Sequence, residues 1–253
     1  MSYVNSAGVR IHYEVEGVGP PLVLQHGFTD SLESWYEFRY VPALKTDYTL
    51  ILLDARGHGG SDKPHEPDAY EPQLFVRDIL AVLDELQIAK AHCWGYSMGG
   101  RIAFASAKYA PERFSSFVVG GAHPYQEDRA ALAPTLQELR KGAGALPDYW
   151  GVPLSPALHA RLLTNDMKAL GAYWQKRMES PGFDEVLATL RMSWLLYVGE
   201  ADGRYANAKG CVTHIPNATF ISLPGLKHAE GFFRSDLVLP HVSRFLATVS
   251  SGE

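Results

Sequence analysis

The chain has 253 residues, of which 46% are hydrophobic, and it carries a formal net charge of −5 at pH 7. This size and hydrophobic content suit one large α/β domain, or one domain with an insertion. The weakly acidic balance, without a basic stretch, excludes an electrostatic footprint for nucleic acid or for anionic lipid. No segment approaches the roughly 18 uninterrupted apolar residues of a membrane span, so we expect no such span.

The N-terminal residues and the two cysteines lead to an expectation about the cellular compartment. The first residues lack a charged segment followed by an apolar one, so we expect no signal peptide. Cys93 and Cys211 form no metal-binding or redox motif, and we expect no metal. We therefore expect a reducing, cytoplasmic setting.

Short apolar segments predict the strands of a mostly parallel sheet. Residues 9–15 alternate between apolar and polar, which indicates a strand near a sheet edge with one exposed face. Further runs are apolar with little alternation, which is typical of strands buried on both faces. These runs comprise residues 21–25, 50–53, 91–94, 116–119, 194–198 and 219–223.

Helical periodicity fills the gaps between these strands. Apolar residues fall on one helical face in residues 74–86 and again in residues 238–249, and residues 101–109 also read as a helix. The alternation of strand and helix predicts a doubly wound α/β fold with right-handed crossovers. Ligands of such folds bind at the carboxyl ends of the strands.

The segment from His123 to Met192 interrupts this alternation. It is too long for one crossover helix, and prolines break its helical pieces. We predict a helical cap at residues 123–192, inserted into a core of residues 1–122 and 193–253. Most of its aromatic residues are expected to pack the cap onto the core, while His123, Trp150 and Trp174 are candidates for lining a substrate pocket.

A candidate nucleophile stands between a predicted strand and a predicted helix. Residues 95–99 read G-Y-S-M-G, and a G-x-S-x-G motif in this context indicates a nucleophile elbow, a strained turn that exposes the serine hydroxyl. Gly95 and Gly99 meet the need for small neighbours, and Gly100 lets the helix pack close to the sheet. The helix N-terminus next to Ser97 favours a developing negative charge.

A serine hydroxyl needs a nearby base, and that base needs an orienting carboxylate. His228 is the candidate base because it follows the last predicted strand on a loop. Asp202 is the candidate acid because it follows the strand at residues 194–198, with Glu200 as the alternative. The order Ser, Asp, His along the chain is that of the hydrolases with a G-x-S-x-G elbow.

The negative charge of the reaction intermediate also needs donors. The amide of Met98 is one candidate, and the amide of Phe28 is the other, because Gly27 lets the backbone turn that amide toward the site. Asp54 also lies at a strand end, where we expect it to pair locally with Arg56.

Taken together, these motifs resemble the α/β-hydrolase superfamily over nearly the whole chain. The resemblance rests on residues 26–28, 54–61, 95–100 and 199–202, and on His228. It implies a triad of Ser97, Asp202 and His228, an oxyanion hole from the amides of Phe28 and Met98, a small-molecule substrate and no cofactor. The serine argues against the haloalkane dehalogenase and epoxide hydrolase branches, which carry aspartate at the elbow.

The resemblance gives little information about the substrate, because proteins of one fold catalyse many different reactions. We expect a carboxylesterase that cleaves small to medium esters. A C–C bond or lactone hydrolase and a menaquinone-pathway lyase are alternatives, and a non-enzymatic receptor that keeps the triad is another. The lyase takes a multiply anionic substrate, whereas charges balance between His123 and Met192. We therefore expect a neutral pocket lined by cap aromatics, unless a few arginines converge locally.

Overall fold

The computed structural model describes residues 2–151 and 154–250. Within these ranges eight strands form one sheet, in the spatial order β1-β2-β4-β3-β5-β6-β7-β8. The strands are β1 (Ser2–Ser6), β2 (Val9–Glu16), β3 (Pro21–Gln25), β4 (Thr49–Leu53), β5 (Ala91–Tyr96), β6 (Phe114–Gly120), β7 (Ser193–Gly199) and β8 (Ala218–Leu223). β2 pairs antiparallel with β1 and with β4, and the other pairings are parallel. The predicted mostly parallel sheet is confirmed.

Helices occupy the connections from β3 onward and follow β8. They are α1 (Glu33–Glu37), α2 (Tyr40–Leu44), α3 (Pro72–Glu85), α4 (Met98–Tyr109), α5 (Arg129–Lys141), α6 (Leu146–Trp150), α7 (Pro156–Leu163), α8 (Met167–Glu179), α9 (Tyr205–Val212), α10 (Glu230–Phe233) and α11 (Ser235–Ser250). Short 3₁₀ segments lie at Pro67–Tyr70, Pro111–Arg113, Ala143–Ala145 and Asp184–Thr189. No helix of the described ranges is long and apolar enough to cross a membrane.

The sheet is buried on both faces, which explains its continuous apolar runs. Cys93 belongs to one hydrophobic cluster, which also contains residues of α3 and α4. Trp94, its neighbour in β5, belongs to a second cluster, which contains residues of α2 and α11. Successive side chains of a strand point to opposite faces, so both must be apolar when both faces are covered.

The edge strand β1 was not predicted. Its sequence is largely polar, it has exposed positions, and among the described strands it pairs with β2 alone. An edge strand with few buried side chains carries no apolar run by which to recognise it.

The segment between Gly120 and Ser193, called the insertion below, contains α5 to α8. It builds a small hydrophobic cluster of its own around Leu139, Leu146 and Leu170. The core and cap boundaries at residues 123 and 192 stay a prediction. The insertion follows β6, the neighbour of β5 in the sheet, and so begins beside the end of the strand that leads to Ser97.

Candidate active site

Ser97 follows β5 directly and adopts a strained backbone conformation, with φ 54° and ψ −107°. Residues other than glycine rarely adopt a positive φ, and such strain persists only where the surroundings enforce it. A Cβ atom on Gly95 would lie 2.1 Å from the carbonyl oxygen of Gly99, and one on Gly99 would lie 2.0 Å from that of Gln25. The close packing of α4 against the sheet therefore requires glycine on both sides of Ser97.

Two further loops bring His228 and Asp202 to the serine. His228 Nε2 lies 2.9 Å from Ser97 Oγ, and His228 Nδ1 lies 2.6 Å from Asp202 Oδ2. Ionised Asp202 only accepts hydrogen bonds, so Nδ1 carries the proton and Nε2 is free to accept one from the serine. The structure thus brings together the three residues that the sequence predicts as a triad.

The electrostatics of this chain of hydrogen bonds favour an ionised Asp202 and a neutral His228. Burial raises the pKa of Asp202, but the hydrogen bond and charge of His228 and the amide of Arg204 outweigh burial and hold that pKa below its ordinary value. Loss of solvation and the charge of Arg204 lower the pKa of His228, although Asp202 opposes this shift. Neutral His228 is the protonation state that a general base requires.

Glu200, the alternative acid, lies elsewhere. Its carboxylate accepts a hydrogen bond from Ser222 Oγ at 2.8 Å. Because Glu200 follows directly after β7, its carboxylate reaches Ser222 of β8 rather than the imidazole of His228.

Tyr96 anchors the loop that carries His228. Its hydroxyl donates to the backbone carbonyl of His228, and its ring centroid lies 5.5 Å from that of the imidazole. The sequence motif leaves this position open to any residue, so it offered no signal for Tyr96.

The loop after β3 lies against the elbow. A Cβ atom on Gly27 would be 3.7 Å from Ser97 Cβ, and both Phe28 and Met98 line the cavity that contains Ser97 and His228. The two residues predicted to supply the oxyanion hole thus border the nucleophile.

His26 fixes the turn that leads into Phe28. The amide of Ala55 donates to His26 Nε2 at 3.1 Å, so the ring proton lies on Nδ1. That Nδ1 donates to the carbonyl oxygen of Gly27 at 2.7 Å. This histidine is fully buried and links the backbone of Ala55 to that of Gly27.

Side chains of the insertion also hold the loop after β3. Asn165 Nδ2 donates to the carbonyl oxygen of Thr29 at 2.9 Å. Arg161 Nη2 lies 2.8 Å from Asp30 Oδ1, and Arg161 Nη1 lies 3.0 Å from Glu37 Oε2. Two residues of the insertion, which sequence patterns did not single out, therefore tie it to the loop that carries Phe28.

The expectation that Asp54 pairs with Arg56 is wrong. Asp54 accepts hydrogen bonds from His12 Nδ1 at 2.8 Å and from backbone amides that include that of Leu32 at 2.8 Å. Arg56 reaches Asp78 of α3 with two hydrogen bonds, of 2.7 and 2.6 Å. Because α3 packs over this turn, a carboxylate distant in sequence takes the place of the local one.

A cavity of about 330 Å³ separates Ser97 and His228 from the insertion. We call it the site cavity. His123, Trp150 and Trp174, the candidate pocket residues, all line it. The indole nitrogen of Trp174 donates to the carbonyl oxygen of Leu132 at 2.9 Å, which fixes its ring against the cavity.

The expectation of a neutral pocket is wrong, because arginines converge on the site cavity. Arg101, Arg161, Arg177 and Arg204 line it, together with Asp30 and Glu127. The balanced composition of residues 123–192 did not reveal this. Two of these arginines come from α4 and from the loop after β7, which lie outside that segment.

Comparisons with known proteins agree with this architecture. Residues 20–194 match the family model described as alpha/beta hydrolase fold. Epoxide hydrolase 4 of Mus musculus is 35% identical over 230 residues, which are 89% of this chain and 60% of that protein. A putative 2-succinyl-6-hydroxy-2,4-cyclohexadiene-1-carboxylate synthase of Bacillus subtilis is 35% identical over 162 residues, or 59% of this chain and 57% of that protein. The chain thus spans about three fifths of the length of these relatives.

Among solved structures, the enol-lactonase from Burkholderia xenovorans LB400 superimposes with a TM-score of 0.87 at 22% identity, covering 97% of this chain and 100% of that one. At this identity the likeness concerns the fold. Since the family model covers more than half of the chain and the sheet order and elbow agree with it, the protein belongs to the α/β hydrolase fold family.

Proposed function

We propose that this protein is a serine hydrolase that cleaves carboxylic esters through an acyl-enzyme at Ser97. The observation that carries the proposal is the hydrogen-bonded chain from Ser97 Oγ to His228 Nε2, at 2.9 Å, and from His228 Nδ1 to Asp202 Oδ2, at 2.6 Å. A nucleophile, a base and an orienting carboxylate in this order are what acyl transfer requires.

In the first half of the reaction, Ser97 Oγ attacks the ester carbonyl while its proton moves to His228 Nε2. Asp202 holds the imidazole and stabilises the imidazolium that forms. The amides of Phe28 and Met98 stabilise the oxyanion, a contribution that is usually the largest single one. The intermediate then collapses, and the alcohol leaves with the proton from His228.

In the second half, His228 takes a proton from water, and the resulting hydroxide attacks the acyl carbonyl. Collapse of this second intermediate releases the carboxylic acid and returns the proton to Ser97. We further propose that residues 123–192 act as a cap on a core of residues 1–122 and 193–253, and that the cap shields the acyl-enzyme from solvent.

Ser97 is poorly suited to opening an epoxide ring, although epoxide hydrolases are among the relatives. A serine oxygen that opens an epoxide forms an ether, which has no carbonyl for water to attack. The enzyme could not be regenerated by the steps that hydrolyse an ester. Esters and lactones, by contrast, both yield a hydrolysable acyl-enzyme.

A panel of p-nitrophenyl esters from acetate to decanoate, with a lactone assayed beside them, tests the proposal. We expect multiple turnovers in the wild type and a loss of several orders of magnitude in Ser97→Ala, because attack and acyl-enzyme formation both need the hydroxyl. A fluorophosphonate probe should label the wild type and not this variant, whose circular dichroism spectrum should be unchanged.

Retained activity in Ser97→Ala, with labelling at another serine, would refute the assignment. Turnover of the lactone alone would favour the lactone hydrolase alternative. A single slow turnover in the wild type would favour a receptor that keeps the triad.

A further inference from the structure

Three arginines meet at one side of the site cavity. Arg101 lies in α4, Arg177 in α8 and Arg204 in the loop after β7, and all three line the cavity together with Ser97 and His228. We call them the arginine cluster. Glu127 lies among them, since it pairs with Arg177 and its Oε1 lies 3.9 Å from Arg204 Nε.

The cluster holds more positive charge than negative charge. The carboxylates that it contacts in the described chain are those of Glu127 and Asp202, the latter 3.5 Å from Arg204. His123 adds no charge near pH 7, because loss of solvation lowers its pKa to about 4. Arg161 belongs to a separate network with Asp30 and Glu37. Three guanidinium groups thus face two carboxylates, and one positive charge is left without a counterpart.

Arg101 accounts for much of the excess positive charge in the arginine cluster. It is 8% exposed, and its Nη1 donates to the backbone carbonyls of His123 and Tyr125 at 3.2 and 2.9 Å. Burial and the charge of Arg177 lower the pKa of Arg101 to about 9, so it stays charged near pH 7. The guanidinium also lies over the ring of Phe183, 5.1 Å from its centroid. Carbonyl dipoles and an aromatic ring supply no full negative charge, so burial of this cation is costly, and an anion from outside would offset that cost.

In the described part of the chain, two buried nitrogen atoms of residues that line the site cavity lack a hydrogen-bond partner. Within residues 2–151 and 154–250, Arg177 Nη1 and His123 Nδ1 are buried and have no hydrogen-bond partner. A buried donor without an acceptor destabilises the site, because it has lost its hydrogen bonds to water. A ligand oxygen in the cavity would satisfy Arg177 Nη1, and a guanidinium is suited to a carboxylate.

We propose that the arginine cluster is a subsite for one carboxylate of the substrate, so that this enzyme acts on monoanionic esters. The proposal rests on the proposed serine hydrolase function and narrows its substrate class. One excess positive charge matches one carboxylate, whereas a phosphate monoester is close to a dianion at neutral pH. A second carboxylate is disfavoured, because Glu127 already occupies part of the cluster.

The rest of the cavity suits an apolar substrate segment. Trp150, Leu154 and Phe28 line it and pack against the hydrophobic cluster of the insertion. The substrate is therefore an ester with a carboxylate at one end and an apolar portion elsewhere.

Paired substrates test the subsite. Mono-p-nitrophenyl glutarate and its methyl ester differ in one carboxylate on the acyl side. The pair 3-carboxyphenyl butyrate and 3-methoxycarbonylphenyl butyrate differ in the same way on the alcohol side. We expect the wild type to show a kcat/KM at least about tenfold higher for the anionic member of one pair, as a charge-assisted hydrogen bond implies. An acyl chain ending in malonate, with two carboxylates, should show no further gain.

Variants then assign the effect to the cluster. Arg177→Gln should lower the ratio of anionic to neutral kcat/KM about tenfold, and Arg177→Lys should restore part of it. Glu127→Gln removes the competing carboxylate, so it should raise the ratio for the malonate-ended ester. Arg140→Gln is the matched control, because Arg140 lies in the insertion, is exposed and does not line the site cavity; its ratio should equal that of the wild type.

The subsite is refuted if neither anionic ester exceeds its neutral partner, or if Arg177→Gln slows both members equally. If the wild type hydrolyses none of these esters, the proposed function fails while the subsite can still be tested by calorimetry. Monomethyl glutarate should then bind more tightly than dimethyl glutarate, and Arg177→Gln should remove the difference. Equal binding of the two would refute the subsite as well.

Discussion

Asp202 and Glu200 lie two positions apart in the sequence, yet of these two carboxylates only that of Asp202 contacts the imidazole of His228. Asp202→Asn should lower kcat at least about a hundredfold, because the amide presents a donor to Nδ1 and stabilises the wrong imidazole tautomer. Glu200→Gln is the matched control and should retain most of the activity. Steady-state rates on p-nitrophenyl butyrate distinguish the two, and the reverse outcome would make Glu200 the acid.

Arg204 contributes to the pH dependence of the base. Loss of solvation and the Arg204 charge hold the pKa of His228 below its ordinary value of 6.5. Activity requires neutral His228, so kcat/KM should fall only as the pH drops below 6.5. Arg204→Gln removes a positive charge, which favours the imidazolium, raises this pKa and moves the acid limb to higher pH.

A pH profile of kcat/KM on a neutral ester measures this shift. Arg204→Lys keeps the charge and should keep the wild-type limb. An unmoved limb in Arg204→Gln would mean that solvation alone sets the pKa of His228.

Polar contacts connect the insertion to the loop after β3. Asn165 holds the carbonyl of Thr29, whose φ of 65° is unfavourable for a β-branched residue. Asn165→Ala should release this strain and misplace the amide of Phe28. We expect kcat to fall about tenfold with a smaller change in KM, since an oxyanion donor acts chiefly in the transition state.

Thr164→Ala is the neighbouring control, because that hydroxyl donates to the carbonyl oxygen of Arg161 within its own turn. Its kinetics should match the wild type. A rise in KM alone for Asn165→Ala would instead assign Asn165 to substrate binding.

The stability of the fold as a whole depends on a buried ion pair between the turn after β4 and α3. Arg56 and Asp78 have side chains only 2% and 4% exposed. Arg56→Met leaves the carboxylate buried without its partner, which costs about 3–5 kcal/mol. Urea unfolding at pH 7 should show this loss. Arg10→Met breaks an exposed pair with Asp62, and its unfolding midpoint should stay near that of the wild type; equal shifts in both would contradict the argument.

Strand and motif positions could be read from sequence because each reflects a local physical requirement. The apolar runs at residues 50–53 and 91–94 mark strands covered on both faces. The glycines beside Ser97 mark a turn in which a Cβ atom would collide with backbone. Parallel strands end at one edge of the sheet, so Asp202 and His228, each on a loop that follows a strand, could be expected near Ser97.

Other features depend on which distant segments meet. The partner of Arg56, the contact of Asn165 with Thr29 and the meeting of Arg101, Arg177 and Arg204 all join residues far apart in sequence. A charge count over residues 123–192 missed the arginine cluster because it could not tell which side chains face the cavity. Local composition and periodicity specify which residues are buried in an element, whereas the packing of elements against one another decides which buried side chains become neighbours.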